Sequence, residues 1–145
     1  MLDTKTMEII KSTVPVLQSK GTEITKHFYK IMFANNPEVK PMFNMEKQES
    51  GEQPLALANA ILAVAKNIDN LGALSSAVKS IGEVHVKANV KPEHYPIVGK
   101  NLLIAIKDVL GDAATDEVMQ AWEKAYGVLA KVFIDVEKGI YEENA

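Results

Sequence analysis

The hydrophobic positions of this chain recur with helical spacing, and no useful length of it alternates between apolar and polar residues as a half-buried strand does. Two stripes with intervals of four, three and four residues follow one another in the centre of the chain: Leu57, Ile61, Val64 and Ile68, then Leu74, Val78, Ile81 and His85. Such intervals place the members of a stripe on one face of an amphipathic helix. The pattern therefore predicts an all-α protein.

Capping residues and prolines divide the pattern into six substantial helices. Asp3 or Thr4 can cap the first helix, which is expected to bend at Pro15. We predict that this helix stops at Gly21 and that Thr22 caps the second one. Later boundaries are marked in the same way: a start near Gln53 and Pro54, an end between Asn67 and Gly72, an end before Pro92, a start at Pro92 or Pro96, a stop at Gly111 and a cap at Thr115 or Asp116.

The segment from Asn44 to Glu52 is polar and contains Gly51, which is typical of a mobile loop. If Gln53 moves with this loop, its position depends on the loop's order. No internal repeat, low-complexity tract or linker interrupts the chain. We therefore expect one domain over residues 1–145.

The charge balance argues against a nucleic-acid partner. The chain has 19 acidic and 16 basic residues, and every basic residue is lysine. Arginine, whose planar fork contacts guanine and phosphate, is absent from the sequence. The first residues lack the basic flank and apolar stretch of a secretory signal, and the most apolar region is interrupted by Asn59 and ended by Lys66. We expect a cytoplasmic protein without stable membrane insertion.

The chain has no cysteine, which excludes disulfides, thiolate zinc sites and iron-sulfur clusters, and it has three histidines: His27, His85 and His94. His85 occupies a stripe position where an aliphatic residue is expected, so its ring should face the core. A buried imidazole is costly unless its nitrogens find partners, and two explanations stay open: hydrogen bonds in an ordinary core, or a bond to a metal. A lone histidine cannot build an ordinary zinc site, but it can hold a haem iron, which brings four other ligands.

Three further residues could face a pocket. Tyr29 lies on the shoulder of its predicted helix, Gln53 comes one turn before Leu57, and Phe43 stands in a short loop. Taken alone, each has an ordinary explanation: a half-buried packing tyrosine, a polar residue at a helix start, and an aromatic plug over one end of the core.

Tyr126 and Glu137 are eleven residues apart on the last predicted helix, a spacing that returns to nearly the same face. Tyr95 follows Pro92 at the start of the preceding helix. Glu137 could be an ordinary surface residue. The alternative is that it accepts a proton from a phenol or an imidazole in a buried network.

Signatures of nucleotide-binding proteins and hydrolases are missing. The Gly99-Lys100-Asn101 triplet lacks the earlier glycine and the hydroxyl residue of a phosphate-binding loop, and no serine stands in a nucleophile elbow. These classes of function are therefore weakly supported.

Several motifs together carry a family resemblance that covers essentially the whole chain. They are Ile9-Ile10-Lys11, Val14-Pro15-Val16-Leu17, Phe28-Tyr29 with Met32-Phe33, Pro37-Glu38-Val39 leading to Phe43, Glu52-Gln53-Pro54, Asn67-Ile68-Asp69-Asn70-Leu71, His85, Glu93-His94-Tyr95-Pro96-Ile97-Val98-Gly99, and Ala121-Trp122 with Lys124-Ala125-Tyr126-Gly127. With them the chain resembles the bacterial single-domain globins of the flavohaemoglobin type, which include the Vitreoscilla-like haemoglobins.

The resemblance implies a globin fold, with six or more helices around a haem b pocket and His85 as the proximal iron ligand. The matching positions imply that Phe43 packs on the porphyrin, that Tyr126 belongs to the cofactor site, and that the distal pocket has no histidine. Its distal residues would be Tyr29, Gln53 and Leu57. Tyr95 and Glu137 match the family's proximal pair, in which the carboxylate accepts a hydrogen bond from the ligand imidazole and strengthens its electron donation.

The function implied is reversible binding of dioxygen and, with an external reductase, conversion of nitric oxide to nitrate. The alternative is a non-enzymatic dioxygen binder or carrier, and a third possibility is a haem-free interaction or sensor domain. We expect a monomer or a homodimer.

Two departures from the family pattern bear on these alternatives. We expect no flavin and nicotinamide reductase domain after the globin, an expectation that favours the carrier. Val84 also replaces a lysine common before the proximal histidine, so a contact to a haem propionate is in doubt unless Lys87 replaces it.

Overall fold

The computed structural model describes residues 2–43, 46, 50–88 and 90–143, and the regular structure within these ranges is helical. The α-helices of these ranges are α1 (Thr4–Ser12), α2 (Val14–Asn35), α3 (Glu52–Lys66), α4 (Ser75–Lys87), α5 (His94–Leu110) and α6 (Asp116–Glu143). Short 3₁₀ helices cover Pro37–Met42, Leu71–Leu74 and Gly111–Ala113. The predicted all-α class is confirmed. Among the described helices, none combines the length and the apolar character needed to cross a bilayer.

The predicted boundary between the first two helices is wrong. α2 runs through Gly21 and Thr22 without interruption, and the break lies at Thr13. Pro15 falls in the first turn of α2, where its missing N–H has no helical partner to lose, so it begins a helix and does not bend one. Gly21 lies inside α2 where α3 passes closely, since a Cβ atom there would lie 3.4 Å from the Cβ of Ala58.

Three predicted helix boundaries are confirmed by hydrogen bonds or backbone angles. The Asp3 carboxylate accepts from the backbone N–H of Thr6 at 2.7 Å, and hydrogen bonding by the Thr6 side chain, followed by this backbone bond, holds the pKa of Asp3 below its ordinary value. The Thr115 hydroxyl accepts from the N–H of Val118 at 3.2 Å and caps α6. Gly111 ends α5 with a φ of 56°, in the left-handed region that glycine adopts freely.

The start of α3 at Glu52 confirms the boundary predicted near Gln53. Gly51 precedes it with a φ of 83°. Of the loop predicted between Asn44 and Glu52, residues 44, 45 and 47–49 lie outside the described residues, and the predicted mobility of that loop stays a prediction.

Two helices organise the packing. α2 packs against both α3 and α5, whereas α6 packs against α1, α4 and α5. The most completely buried large side chains come from α1, α2 and α5: Phe28, Ile10, Ile24, Met32, Ile106, Asn101 and Thr25. α3 and α4 are consecutive α-helices of the chain, but they pack against different helices: α3 against α2, and α4 against α6.

Candidate functional site

His85 lies in the last turn of α4, and side chains from two other helices bind one nitrogen of its ring. Its Nδ1 is 2.7 Å from Oε2 of Glu137 on α6 and 3.2 Å from the hydroxyl of Tyr95 on α5. A carboxylate can only accept, so the ring proton lies on Nδ1. This tautomer leaves the lone pair of Nε2 available to a ligand. Within the described part of the chain, Nε2 has no hydrogen-bond partner.

Glu137 is the acceptor at the centre of this group, and its side chain is only 4% exposed. The Tyr95 hydroxyl donates to both carboxylate oxygens, at 2.8 and 2.7 Å. A buried carboxylate is costly unless its oxygens accept hydrogen bonds, and donors from α4 and α5 meet that need here. The structure thus brings Tyr95, Glu137 and His85 together from three helices.

The two tyrosines behind His85 keep their protons over a wide pH range. Burial, followed by the hydrogen bond and charge of Glu137, raises the pKa of Tyr95 well above its ordinary value. Burial also raises the pKa of Tyr126, whose hydroxyl donates to the backbone carbonyl of Tyr95 at 2.6 Å. A Cβ atom at Gly99 would lie 2.5 Å from the Tyr126 ring, so glycine is required there for the ring to reach this position.

The turn after His85 is tied to the end of α6. The backbone carbonyl of His85 accepts from the N–H of Val90 at 3.0 Å, and the Val90 carbonyl accepts from the Tyr141 hydroxyl at 2.7 Å. The ammonium group of Lys91 lies 4.1 Å from the centre of the Tyr141 ring. These contacts fix the backbone that carries the histidine.

Tyr29 lies on α2 within a group of aromatic rings and is 6% exposed. The ring centroids of Phe28, Phe33 and Phe43 lie 4.9, 5.9 and 5.6 Å from that of Tyr29. Phe33 and Phe43 also meet each other edge-on at 5.3 Å. The ring packing attaches Phe43, which follows the 3₁₀ helix after α2, to the face of α2 that carries Tyr29.

Gln53 and Leu57 are one turn apart on α3, and both are half-buried. The first turn of α3 is held against α2 by the fully buried Thr25, whose hydroxyl donates to the carbonyl of Pro54 at 2.7 Å. Since Thr25 precedes Tyr29 by one turn on α2, this bond places Gln53 at the same end of the α2–α3 contact as Tyr29.

The two apolar stripes predicted in the centre of the chain are less buried than a packed core requires. Their half-buried members are Leu57, Ile61, Val64, Leu74, Val78 and Ile81. Because α3 packs on α2 and α4 packs on α6, the two stripes are not each other's main partners. Haem needs an apolar lining and a nitrogen ligand for its iron, and these half-buried apolar side chains and Nε2 of His85 can supply them. The residues present therefore fit haem.

Two residues beside these groups were missed by sequence reasoning. Phe133 lies one turn before Glu137 on α6, and its ring centroid is 5.7 Å from that of His85. The four-residue spacing from Glu137 was an available signal. Thr25 gave none, because a threonine inside a helix says nothing about a partner 29 residues away. Among the described residues, no group of three or more His, Cys, Asp or Glu is placed to hold a metal ion.

Comparison with known proteins places this geometry in a family. The globin family model matches residues 26–133. The chain belongs to the globin family. The flavohemoprotein of Bacillus subtilis is 61% identical to this globin over 143 residues, which cover 99% of the chain and 36% of that protein. The globin described here thus spans about a third of the length of the curated relatives it matches.

Solved structures show the same fold. A bacterial globin of Campylobacter jejuni superposes with a TM-score of 0.92 at 54% identity, covering 97% of this globin and 99% of that chain. An engineered carbene transferase, made from a proposed nitric oxide dioxygenase of Rhodothermus marinus, superposes with a TM-score of 0.91 at 35% identity. The alignment covers 98% of this globin and 97% of that chain. The predicted globin fold and the predicted haem cofactor are confirmed at the level of the family.

Proposed function

We propose that this globin holds haem b through His85, binds dioxygen reversibly and converts nitric oxide to nitrate, with one electron per nitrate supplied by a separate reductase. The observation that carries the proposal is the hydrogen bond of 2.7 Å between His85 and the buried Glu137. A protein that only needed to retain haem would not require a buried carboxylate behind the ligand, because an uncharged acceptor would orient the ring equally well.

Haem, when bound, supplies an iron that takes up dioxygen and gives electron density to it. His85 would hold that iron through Nε2. Glu137 draws the Nδ1 proton of His85 toward itself, which raises the basicity of the ring and its electron donation through Nε2. Tyr95 keeps the carboxylate in place through its hydrogen bonds, and its raised pKa keeps it a donor into the alkaline range.

The proposed distal residues would act on the ligand that the iron binds. The Tyr29 hydroxyl and the Gln53 amide are proton donors that would stabilise negative charge on a small ligand. Leu57 and Phe43 are apolar and would limit the entry of water. Phe43 contacts Tyr29 and Phe33. We also propose that Phe43 packs on the porphyrin and that Tyr126 belongs to the cofactor site.

The relatives support both the activity and its electron supply. The Rhodothermus marinus protein derives from a proposed nitric oxide dioxygenase, and the name flavohemoprotein indicates a flavin beside the haem in the longer relatives. We propose that the electron donor is a separate protein and that the reaction takes place in the cytoplasm, as expected from the sequence.

Stopped-flow mixing of the oxygenated protein with nitric oxide tests the activity. We expect nitrate in a 1:1 ratio to the protein within the mixing experiment, and a Tyr29→Phe variant that forms it more slowly. Slow formation of nitrate in less than stoichiometric amount would contradict dioxygenation. If dioxygen is then also released rapidly, the carrier function is the better account.

A haem-free role has its own test. The purified protein is expected to show a Soret band, or to gain one when haem is added. A protein that binds no haem under either condition would refute both haem functions and leave the interaction or sensor domain.

A further inference from the structure

Gly82 lies on α4 one turn before His85 and is buried. Residues three apart share a helix face, so Gly82 and His85 both face α6. A Cβ atom at Gly82 would lie 3.3 Å from Cγ1 of Val136 and 3.5 Å from Cγ of Glu137. The helix that carries the histidine therefore meets the helix that carries its acceptor at a position with no spare room.

The two glycines of α6 do not share this feature. Gly127 and Gly139 lie on α6, and a Cβ atom at either would meet nothing within 4 Å. Both are exposed, whereas Gly82 is buried. Gly82 thus differs from these two glycines by a close contact between helices, and it is the glycine whose contact lies beside Glu137.

The contact lies directly beside a bond that is sensitive to distance. Charge-assisted hydrogen bonds are strong at about 2.7–2.9 Å and weaken as they lengthen. The His85–Glu137 bond measures 2.7 Å and joins α4 to α6, whereas the Tyr95–Glu137 bonds join α5 to α6. A small displacement of α4 from α6 would therefore lengthen the bond to His85 and leave the bonds to Tyr95 in place.

We propose that Gly82 is a positioning residue for the proximal ligand: the missing side chain lets α4 approach α6 to the distance at which Glu137 accepts the full hydrogen bond of His85. Gly82 thereby sets the electron donation of His85. The inference rests on the proposed role of His85 as iron ligand, and it adds a determinant of that ligand's strength.

Gly82→Ala in the haem-loaded protein tests this inference, with the ferrous iron–histidine stretching band as the readout. The alanine methyl needs a few tenths of an ångström more space, so the band should shift to lower frequency. The shift should be a substantial part of that caused by Glu137→Gln. Gly139→Ala is the matched control, because it makes the same change on α6 where the methyl is free, and its band should not move.

Two double variants test whether Gly82→Ala shifts the iron–histidine band through its effect on Glu137. Val136→Ala added to Gly82→Ala removes the closest contact and should return the band toward its original frequency. Gly82→Ala added to Glu137→Gln should cause no further shift, because the charge-assisted bond is already lost. An equal shift in that background, or an equal shift with Gly139→Ala, would overturn the inference.

The readout separates this inference from the proposed activity. A band that moves as described supports the role of Gly82 even if no nitrate is formed. A band that stays fixed in Gly82→Ala, in a protein that does form nitrate, overturns the role of Gly82 alone. The absence of any iron–histidine band in the unaltered protein would overturn the ligand assignment and this inference together.

Discussion

On the proximal side of the candidate haem site, His85 and Tyr95 meet one buried carboxylate through hydrogen bonds of 2.7 and 2.8 Å. On the distal side, aromatic rings pack around Tyr29 with centroids 4.9 to 5.9 Å apart, and Gln53 lies half-buried in the first turn of α3. Hydrogen bonds lose strength over a few tenths of an ångström, whereas ring contacts tolerate wider variation. The proximal side is therefore the rigid half, and the distal side is the half whose donors can adjust to a ligand.

Removing the Glu137 carboxylate should have the largest effect on the difference between the two sides. Glu137→Leu removes the acceptor that the Nδ1–H of His85 and the Tyr95 hydroxyl share, and we expect it to lower the free energy of unfolding by about 2–4 kcal/mol. Denaturant unfolding of the purified protein measures this loss. Glu137→Gln keeps an acceptor oxygen and should lose clearly less. Equal losses in the two variants would mean that the bonds contribute little to the rigidity of this side.

Removing the distal phenol should change ligand binding more than stability. Tyr29→Phe keeps the ring and its aromatic contacts, but it removes a donor to a ligand with partial negative charge. A hydrogen bond of that kind contributes about 1.5–3 kcal/mol, so dioxygen should dissociate about 10–100 times faster. Flash photolysis or displacement by carbon monoxide measures the rate. An unchanged rate would remove Tyr29 from the distal site.

Removing the Gln53 amide should change the rate of dioxygen release less than removing the Tyr29 hydroxyl does. Gln53 is half-buried, so water can replace part of its hydrogen bonding, and we expect Gln53→Leu to speed dioxygen release by about 2–10 times. The same kinetic measurement applies. An effect larger than that of Tyr29→Phe would reverse the order of the two donors and show that Gln53 is held more firmly than its exposure indicates.

The smallest predicted effect is that of Tyr126 on the free energy of unfolding, and it is confined to alkaline pH. Burial raises the pKa of Tyr126 above its ordinary value of 10.0. Above that pH the unfolded chain releases a proton that the folded protein retains, so this group's contribution to stability falls as pH rises, by up to about 1.4 kcal/mol per pH unit. Tyr126→Phe should flatten the decline. Parallel declines for both proteins from about pH 9 to 11 would contradict the burial of the phenol.

The sequence predicted the fold well wherever a local signal decides the structure. The caps at Asp3 and Thr115 and the stop at Gly111 are such signals, and all three are confirmed. The boundary at Gly21 was wrong because the glycine there serves contact with α3, and contact between helices leaves no local mark. Pro15 marked the beginning of a helix in the structure, although a bend was predicted.

From helical spacing alone, the candidate site was predictable only one residue at a time, and the grouping of His85, Tyr95 and Glu137 was implied by the family resemblance. The stripe through α4 singled out His85, and the eleven-residue spacing singled out Tyr126 with Glu137. Neither pattern shows that Glu137 lies 2.7 Å from a histidine 52 residues earlier, because that distance follows from how α4 crosses α6. Gly82 was unpredictable for the same reason.

The central claim is that His85 is a prepared iron ligand whose Nε2 is left for haem by the bond at Nδ1. The absorption spectrum of the ferrous His85→Ala variant, recorded with and without added imidazole, tests it most directly. The account predicts that the five-coordinate histidine spectrum of the unaltered protein is lost and that imidazole restores it. A variant with the spectrum of the unaltered protein in the absence of imidazole would contradict the claim.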